Sequence, residues 1–258
     1  MNWTTTRLAV VGAPAILFSA LLAMPSTSLA GTLNASQLPT IIMSVQGSQW
    51  DYSPTIDRYV AATNSDGGYE LNGQPQYNGV CGGTTNVKIQ QLQFNSDPFV
   101  LNNLLVTNTT ATTQIYSVTV ALPVVFGAPN LISGNITTSV IDGGTDGATV
   151  STVSGQPIYK AQIDLNTVHT LQNDPFSVTT PGSSAASASF GPTLSAIPVN
   201  SNIGVALTFQ LTPGDTAAIL SRFDVVSPVP EPSSLVLGGL AAVFGFAVIG
   251  RRYRFAQV

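Results

Sequence analysis

The chain has 258 residues, only 8% of them charged, and a single cysteine. One cysteine excludes an intramolecular disulfide, so the core must hold without covalent staples. Between residues 31 and 229, eleven acids stand against Arg58, Lys88, Lys160 and Arg222, a net of −7. Four scattered bases make no phosphate-binding surface, and no nucleic-acid partner is expected.

Arg7 precedes a mostly apolar run over residues 8–24, then Pro25 and the small-residue site Ser28, Leu29, Ala30. This pattern predicts a helical signal peptide over residues 1–30, with signal peptidase cutting between Ala30 and Gly31. The mean hydropathy of +0.29 owes part of its value to this run and to a second one near the C-terminus. It therefore does not indicate a multi-span protein.

Residues 31–226 read as one exported all-β domain, an antiparallel β-sandwich of jelly-roll or Ig-like type. Residues 40–46 are rich in β-branched side chains and predict the first strand. Residues 47–83 read as irregular, with Trp50, Tyr52, Tyr59, Tyr69 and Tyr77 among Gly, Asn and Asp. Aromatic-rich loops can stack on pyranose faces, or their rings can cover the end of a core. Trp50 and Tyr52 are the candidate sugar contacts.

Residues 87–94 predict a strand. Residues 99–107 and 113–123 predict a strand pair joined as a hairpin through 108–112, with Ile115, Val118, Val120 and Leu122 on one face. Residues 131–141, 148–153 and 158–165 continue at the spacing of a sandwich or barrel. The Ser/Ala/Gly stretch 179–189 reads as a long loop or a weak internal boundary. Residues 203–211 and 217–226 read as a closing hairpin through the turn 212–215. No helical period long enough to trust runs between 31 and 226, so helix should fill less than about a tenth of the domain.

Catalytic chemistry is thinly represented. His169 is the one histidine, so a Ser-His-Asp or Cys-His arrangement would have to use it. Cys81 sits in a Gly-rich turn and reads as a small buried residue or a free thiol. Neither is expected to be catalytic, since no orienting motif accompanies either one. A two-carboxylate glycosidase site is conceivable, but Glu70 is the one glutamate between 31 and 229 and the aspartates sit mostly in turns. Asp142 and Asp146, set among glycines, are a weak Ca²⁺ candidate. Ca²⁺ takes about six to eight oxygens, and Asp and Gly also serve ordinary turns. No enzyme activity, resident metal or cofactor is expected.

The C-terminal stretch is more specific. Residues 227–234 form a proline-rich stalk containing Pro230, Glu231 and Pro232. Prolines on both sides hold Glu231 extended. Residues 235–250 carry no charge; counted from Ser233, about 18 helical residues cover about 27 Å, close to the thickness of a hydrocarbon core. Arg251, Arg252 and Arg254 follow in a basic tail over 251–258, which places that end in the cytoplasm by the positive-inside rule.

The tripeptide, apolar run and arginines, in that order, resemble the PEP-CTERM sorting signal of exported bacterial proteins. The resemblance covers roughly the last tenth of the chain. It implies processing by an exosortase, a membrane-embedded cysteine protease, in a Gram-negative bacterium that makes extracellular polysaccharide. It implies inner-membrane anchoring by a single transmembrane helix first, and the cell surface or exterior afterwards. The leading functional expectation is a non-enzymatic structural or adhesive protein of the envelope or biofilm matrix. The alternatives are a carbohydrate-binding module acting in extracellular polysaccharide and a secreted hydrolase.

Overall fold

Period-two alternation of apolar side chains recurs along the domain and sets its architecture. The computed structural model describes residues 35–226 except 63–67, 75, 81–83, 96–97, 126, 128 and 182–183. Ala30, Gly31, Cys81 and the whole stretch from 227 onward lie outside the described residues.

The strands in chain order are β1 Thr40–Val45, β2 Ser48–Tyr52, β3 Tyr59–Ala61, β4 Tyr69–Leu71, β5 Gln76–Val80, β6 Thr84–Asn95, β7 Phe99–Asn108 and β8 Gln114–Pro123. They continue as β9 Asn130–Ile141, β10 Thr149–Ser151, β11 Tyr159–Ile163, β12 Asn166–Leu171, β13 Ser177–Thr179, β14 Ala185–Ser195, β15 Asn202–Leu211 and β16 Thr216–Val226. Two 3-10 turns, Ala35–Gln37 and Ile56–Arg58, are the helical segments among the described residues. The all-β expectation holds.

Two antiparallel sheets form. One runs β12-β11-β15-β8-β1-β2, with β10 on β15 and β13 on β10; the other runs β14-β9-β16-β7-β6-β4-β3, with β5 on β6. Alternation turns Ile41 and Met43 of β1, and Tyr116, Val118 and Val120 of β8, toward Leu104 of β7 and Phe223 of β16. All belong to one buried cluster shared by the two sheets, as in a sandwich. Ile115 instead points outward on β8, and Tyr116 takes the core position.

The hairpin expectations fail. β7 lies in one sheet, between β6 and β16, while β8 lies in the other, between β1 and β15. β15 and β16 are likewise divided between the sheets. Segments 109–113 and 212–215 are therefore crossings from sheet to sheet. A third crossing, 142–148, joins β9 to β10 at the same end.

Buried Asn108 ties two of these crossings together. Its Nδ2 donates to the carbonyls of Thr112 (2.9 Å), Leu211 (2.9 Å) and Thr212 (3.1 Å). Its Oδ1 accepts from the amide (3.1 Å) and hydroxyl (2.7 Å) of Thr110. Its backbone exchanges hydrogen bonds with residues 214 and 215 (Gly214 N–H to the Asn108 carbonyl, 2.7 Å; Asn108 N–H to the Asp215 carbonyl, 2.9 Å). The third crossing packs against the second so closely that a Cβ on Gly143 would collide with the Gly214 carbonyl oxygen.

Two other expectations are corrected. Residues 47–83 hold four short strands, β2 to β5, paired at the sheet edges despite their Gly and Asp content. The Ser/Ala/Gly stretch lies largely in β14, an edge strand formed by pairing with β9. Its small residues suffice because Ala186 and Ala188 pack on the core while a Thr137–Ser187 hydroxyl contact (2.9 Å) links the outer faces.

Replacing Asn108 with Leu keeps the volume but takes the Nδ2 donor from the Leu211 and Thr212 carbonyls, the first of these a buried contact. Each orphaned group costs about 1–3 kcal/mol, so the variant should lose at least about 2 kcal/mol. The urea midpoint of the exported domain should fall, with the m-value unchanged.

Candidate functional site

The two open sides of the sheet pair are each closed by side chains, and three of the residues singled out in the sequence, Trp50, Tyr52 and His169, sit there. On one side, β2 ends its sheet. Trp50 and Tyr52 stand opposite Met43 and Ile41 of β1, so both rings fall on the core side of the strand. They are half-buried and stack on each other at 5.2 Å between centroids, 25° apart. The edge of the other sheet adds Tyr59, which meets Phe94 edge-on at 5.2 Å, and Tyr69 at 6.0 Å from the same ring. Burial, with a smaller contribution from Tyr52, pushes the Tyr59 phenol well above its usual range. These rings cover the core, as aromatic pairs do at sheet edges.

On the opposite side, His169 of β12 lies flat on Phe190 of β14, with centroids 3.9 Å apart and planes 2° apart. Its Nδ1 is 3.1 Å from the Thr170 carbonyl, and a carbonyl can only accept, so Nδ1 carries the proton. Among the described residues, its hydrogen-bond partner is thus backbone and not a carboxylate. Buried Gln172 reinforces the same side. It accepts from the Thr138 hydroxyl (2.7 Å) and donates to the Ala186 carbonyl (3.2 Å), bridging β9 and β14.

The aspartates act as acceptors inside turns. Asp142 takes the amides of Gly144 (2.8 Å) and Gly147 (3.1 Å). Asp146 lies beside Gly144, where a Cβ would come within 2.9 Å of its Oδ1. Buried Asp215 accepts from the Thr212 hydroxyl and from the Gly143 amide (3.3 Å). Asp174 accepts from the Thr152 hydroxyl (2.6 Å) and the Gly155 amide (3.0 Å), which together hold its carboxyl below the usual range. Asp224 pairs with Arg222 at 2.7 Å, and that guanidinium lies 4.5 Å over the Phe99 ring. No group of three His, Cys, Asp or Glu side chains able to hold a metal occurs among the described residues.

Asp164 has the fullest shell. It accepts from the amides of Asn200 (3.0 Å), Ser201 (2.7 Å) and Asn202 (3.1 Å) and from the Ser201 hydroxyl (2.9 Å). Partial desolvation pushes its carboxyl up, but these hydrogen bonds together outweigh it and hold the group at about 2.

Asn108, Gln172 and Phe190 escaped sequence reasoning. Asn108 reads locally only as a turn residue, and Gln172 and Phe190 belong to no motif.

At the C-terminal end, the PEP-CTERM protein-sorting motif is matched over residues 228–252. The class is therefore that of an exported protein whose sorting is membrane-associated. The chain thus carries a PEP-CTERM protein-sorting signal at its C-terminal end, which supports export and processing by an exosortase. Pro230, Glu231, Pro232, Arg251 and Arg252 fall inside the match, and Arg254 lies just past it.

No curated protein matches the chain. Among solved structures, it is similar to the glycoside hydrolase domain of Endo-D from Streptococcus pneumoniae R6, at 11% identity and a TM-score of 0.27. That alignment covers 74% of this chain and 22% of the other, so the chain spans less than a quarter of that protein's length. A likeness of that size carries no argument about chemistry.

A pH prediction follows from Asp164. Its folded pKa lies below the ordinary carboxylate value of about 3.9, so its stabilisation is present above that value and lost as pH falls toward about 2. Asp164→Asn should unfold at lower urea than the parent at neutral pH. The gap between the two midpoints should close between about pH 4 and pH 2. A constant gap across that range would mean the carboxylate charge contributes nothing.

Proposed function

We propose that the chain is an anchored, exosortase-processed protein of a Gram-negative cell envelope or extracellular matrix, with a non-enzymatic structural or adhesive role. The observation that carries this reading is the sorting motif at residues 228–252, directly after an all-β domain that ends at Val226. In this reading, signal peptidase cuts after Ala30 and residues 235–250 span the inner membrane. Arg251, Arg252 and Arg254 hold the tail in the cytoplasm, and the exosortase acts near Pro230, Glu231 and Pro232.

The domain supports a passive role in two ways. Asp142, Asp164, Asp174 and Asp215 are each engaged by backbone amides or hydroxyls of neighbouring turns. His169 is held flat between the sheet edges by Phe190. The half-buried setting of Trp50 and Tyr52 offers the carbohydrate-binding alternative no exposed stacking platform.

Changing Pro230, Glu231 and Pro232 to Ala, Gln and Ala tests the reading, because the apolar run is untouched. A processed substrate should then accumulate at full length in the inner-membrane fraction, with the mature mass lost. If the variant and its parent give the same mass in the same fraction, the C-terminal run is a plain anchor.

A further inference from the structure

The end of the two sheets where the chain leaves toward the sorting motif carries the most exposed large apolar side chains among the described residues. Strand direction defines that end. β16 finishes there at Val226, β8 at Pro123, β14 at Ser195 and β11 at Ile163, while β9 and β15 begin there. Val125, Leu165 and Leu194 belong to this end and are 73%, 63% and 65% exposed. Ile197 and Val226 are exposed beside them. Leu194 stands opposite Leu131, and Leu131 opposite Val226, so these three form one cross-strand row.

Hydrogen bonds join the segments into a single platform. Asn130 donates to the Ile197 carbonyl (2.9 Å), and Val124 to the Ser201 carbonyl (3.0 Å). Asp164 holds the amides of Asn200, Ser201 and Asn202. Asp164 is also the one ionisable side chain in segments 124–125, 164–165, 194–201 and Val226.

Leu165 is the most telling member. It sits in the two-residue turn between β11 and β12 with φ 64°, after Asp164 at φ 51°. That left-handed position favours Gly or Asn, and a bulky side chain there is unfavourable. An exposed leucine held in such a turn serves neither the fold nor solubility. Such conflicts between local preference and structure concentrate at functional positions.

We infer that this end is a lipid-docking surface: while the chain is anchored, these apolar tips rest in the interfacial layer of the bilayer that holds residues 235–250. The inference rests on the anchored stage proposed above. The occupant follows from where the chain goes. Residues 227–234 cover at most roughly 28 Å in any conformation, so the platform cannot stand farther than that from the apolar run. Tethering at that range raises the effective concentration of the membrane surface without any new contact. The tips would act by apolar insertion, as interfacial anchors do, because an acidic domain gains nothing from anionic headgroups.

The test uses the full chain, with Cys81→Ser, in phosphatidylcholine vesicles. Nitroxide labels are placed one at a time at Leu194→Cys, Leu165→Cys and, at the opposite end, Ile141→Cys. Collision with oxygen is compared with collision with a water-soluble nickel chelate. Labels at 194 and 165 should favour oxygen, and the label at 141 should favour nickel. A second variant with Val125→Asp and Leu165→Asp should still float with the vesicles, while its label at 194 turns to nickel. A chain that fails to float overturns the anchor, and the docking with it. A chain that floats with 194 and 141 equally exposed to nickel overturns the docking alone. A label at 194 shielded from both reagents, in a chain that cross-links to itself, would assign this end to a second copy and overturn the lipid assignment.

Discussion

Nearly every long strand of this domain ends by changing sheet, and the hydrogen-bonded knot at Asn108 makes that tolerable. A crossing exposes backbone that no ladder satisfies, and buried backbone groups must find partners. The Asn108 carboxamide supplies them for two crossings at once, reaching from its own segment to the Leu211 and Thr212 carbonyls. Thr212 extends the knot to β10, where it accepts from the Thr149 amide at 2.7 Å. Gly143 brings in the third crossing through Asp215. A chain with one cysteine cannot brace its sheets with an internal disulfide. Side-chain hydrogen bonds at the corner take that place.

The same economy governs the open sides. Neither sheet closes on itself, so the core would meet water between β2 and β3 and between β12 and β14. Aromatic rings cover the first gap, and the His169–Phe190 stack with Gln172 covers the second. Residue types that suggest chemistry in a sequence, a histidine and a Trp-Tyr pair, are thereby used as cladding. Polar side chains such as Gln172 can do this because one amide both accepts from a hydroxyl on one strand and donates to a carbonyl on another.

How much of this could be read from the sequence divides along the range of the interaction. Alternation is local, so β1, β6 to β9, β11, β15 and β16 are legible within a few residues. The sorting motif is linear and legible in full. The partner of each strand is not local. Segment 108–112 has the length and composition of a hairpin turn and also of a crossing, and what decides is the distant pair Leu211 and Thr212. β14 was illegible for a related reason, since Ala and Ser have little strand preference of their own and the strand exists by pairing with β9. The apolar tips are illegible too. Positions 125, 165, 194, 197 and 226 are scattered along the chain, and only the topology gathers them.

The topology also fixes which end faces which way. β1 starts and β16 finishes at the same end, so the chain enters the domain and leaves it toward the sorting motif on one side. Strands β8 and β15, ten residues each, separate that side from the crossings. At about 3.4 Å per residue the two ends stand about 30 Å apart. The knot of Asn108, Asp142 and Asp215 thus lies at the far end from the anchor, with Thr and Gly in its loops. An anchored chain that rests its apolar end on the bilayer turns this acidic end outward. The Asn108 knot therefore sits in the part most exposed to the surroundings. The strained leucine turn sits in the part nearest the membrane, where an exposed apolar side chain is least costly.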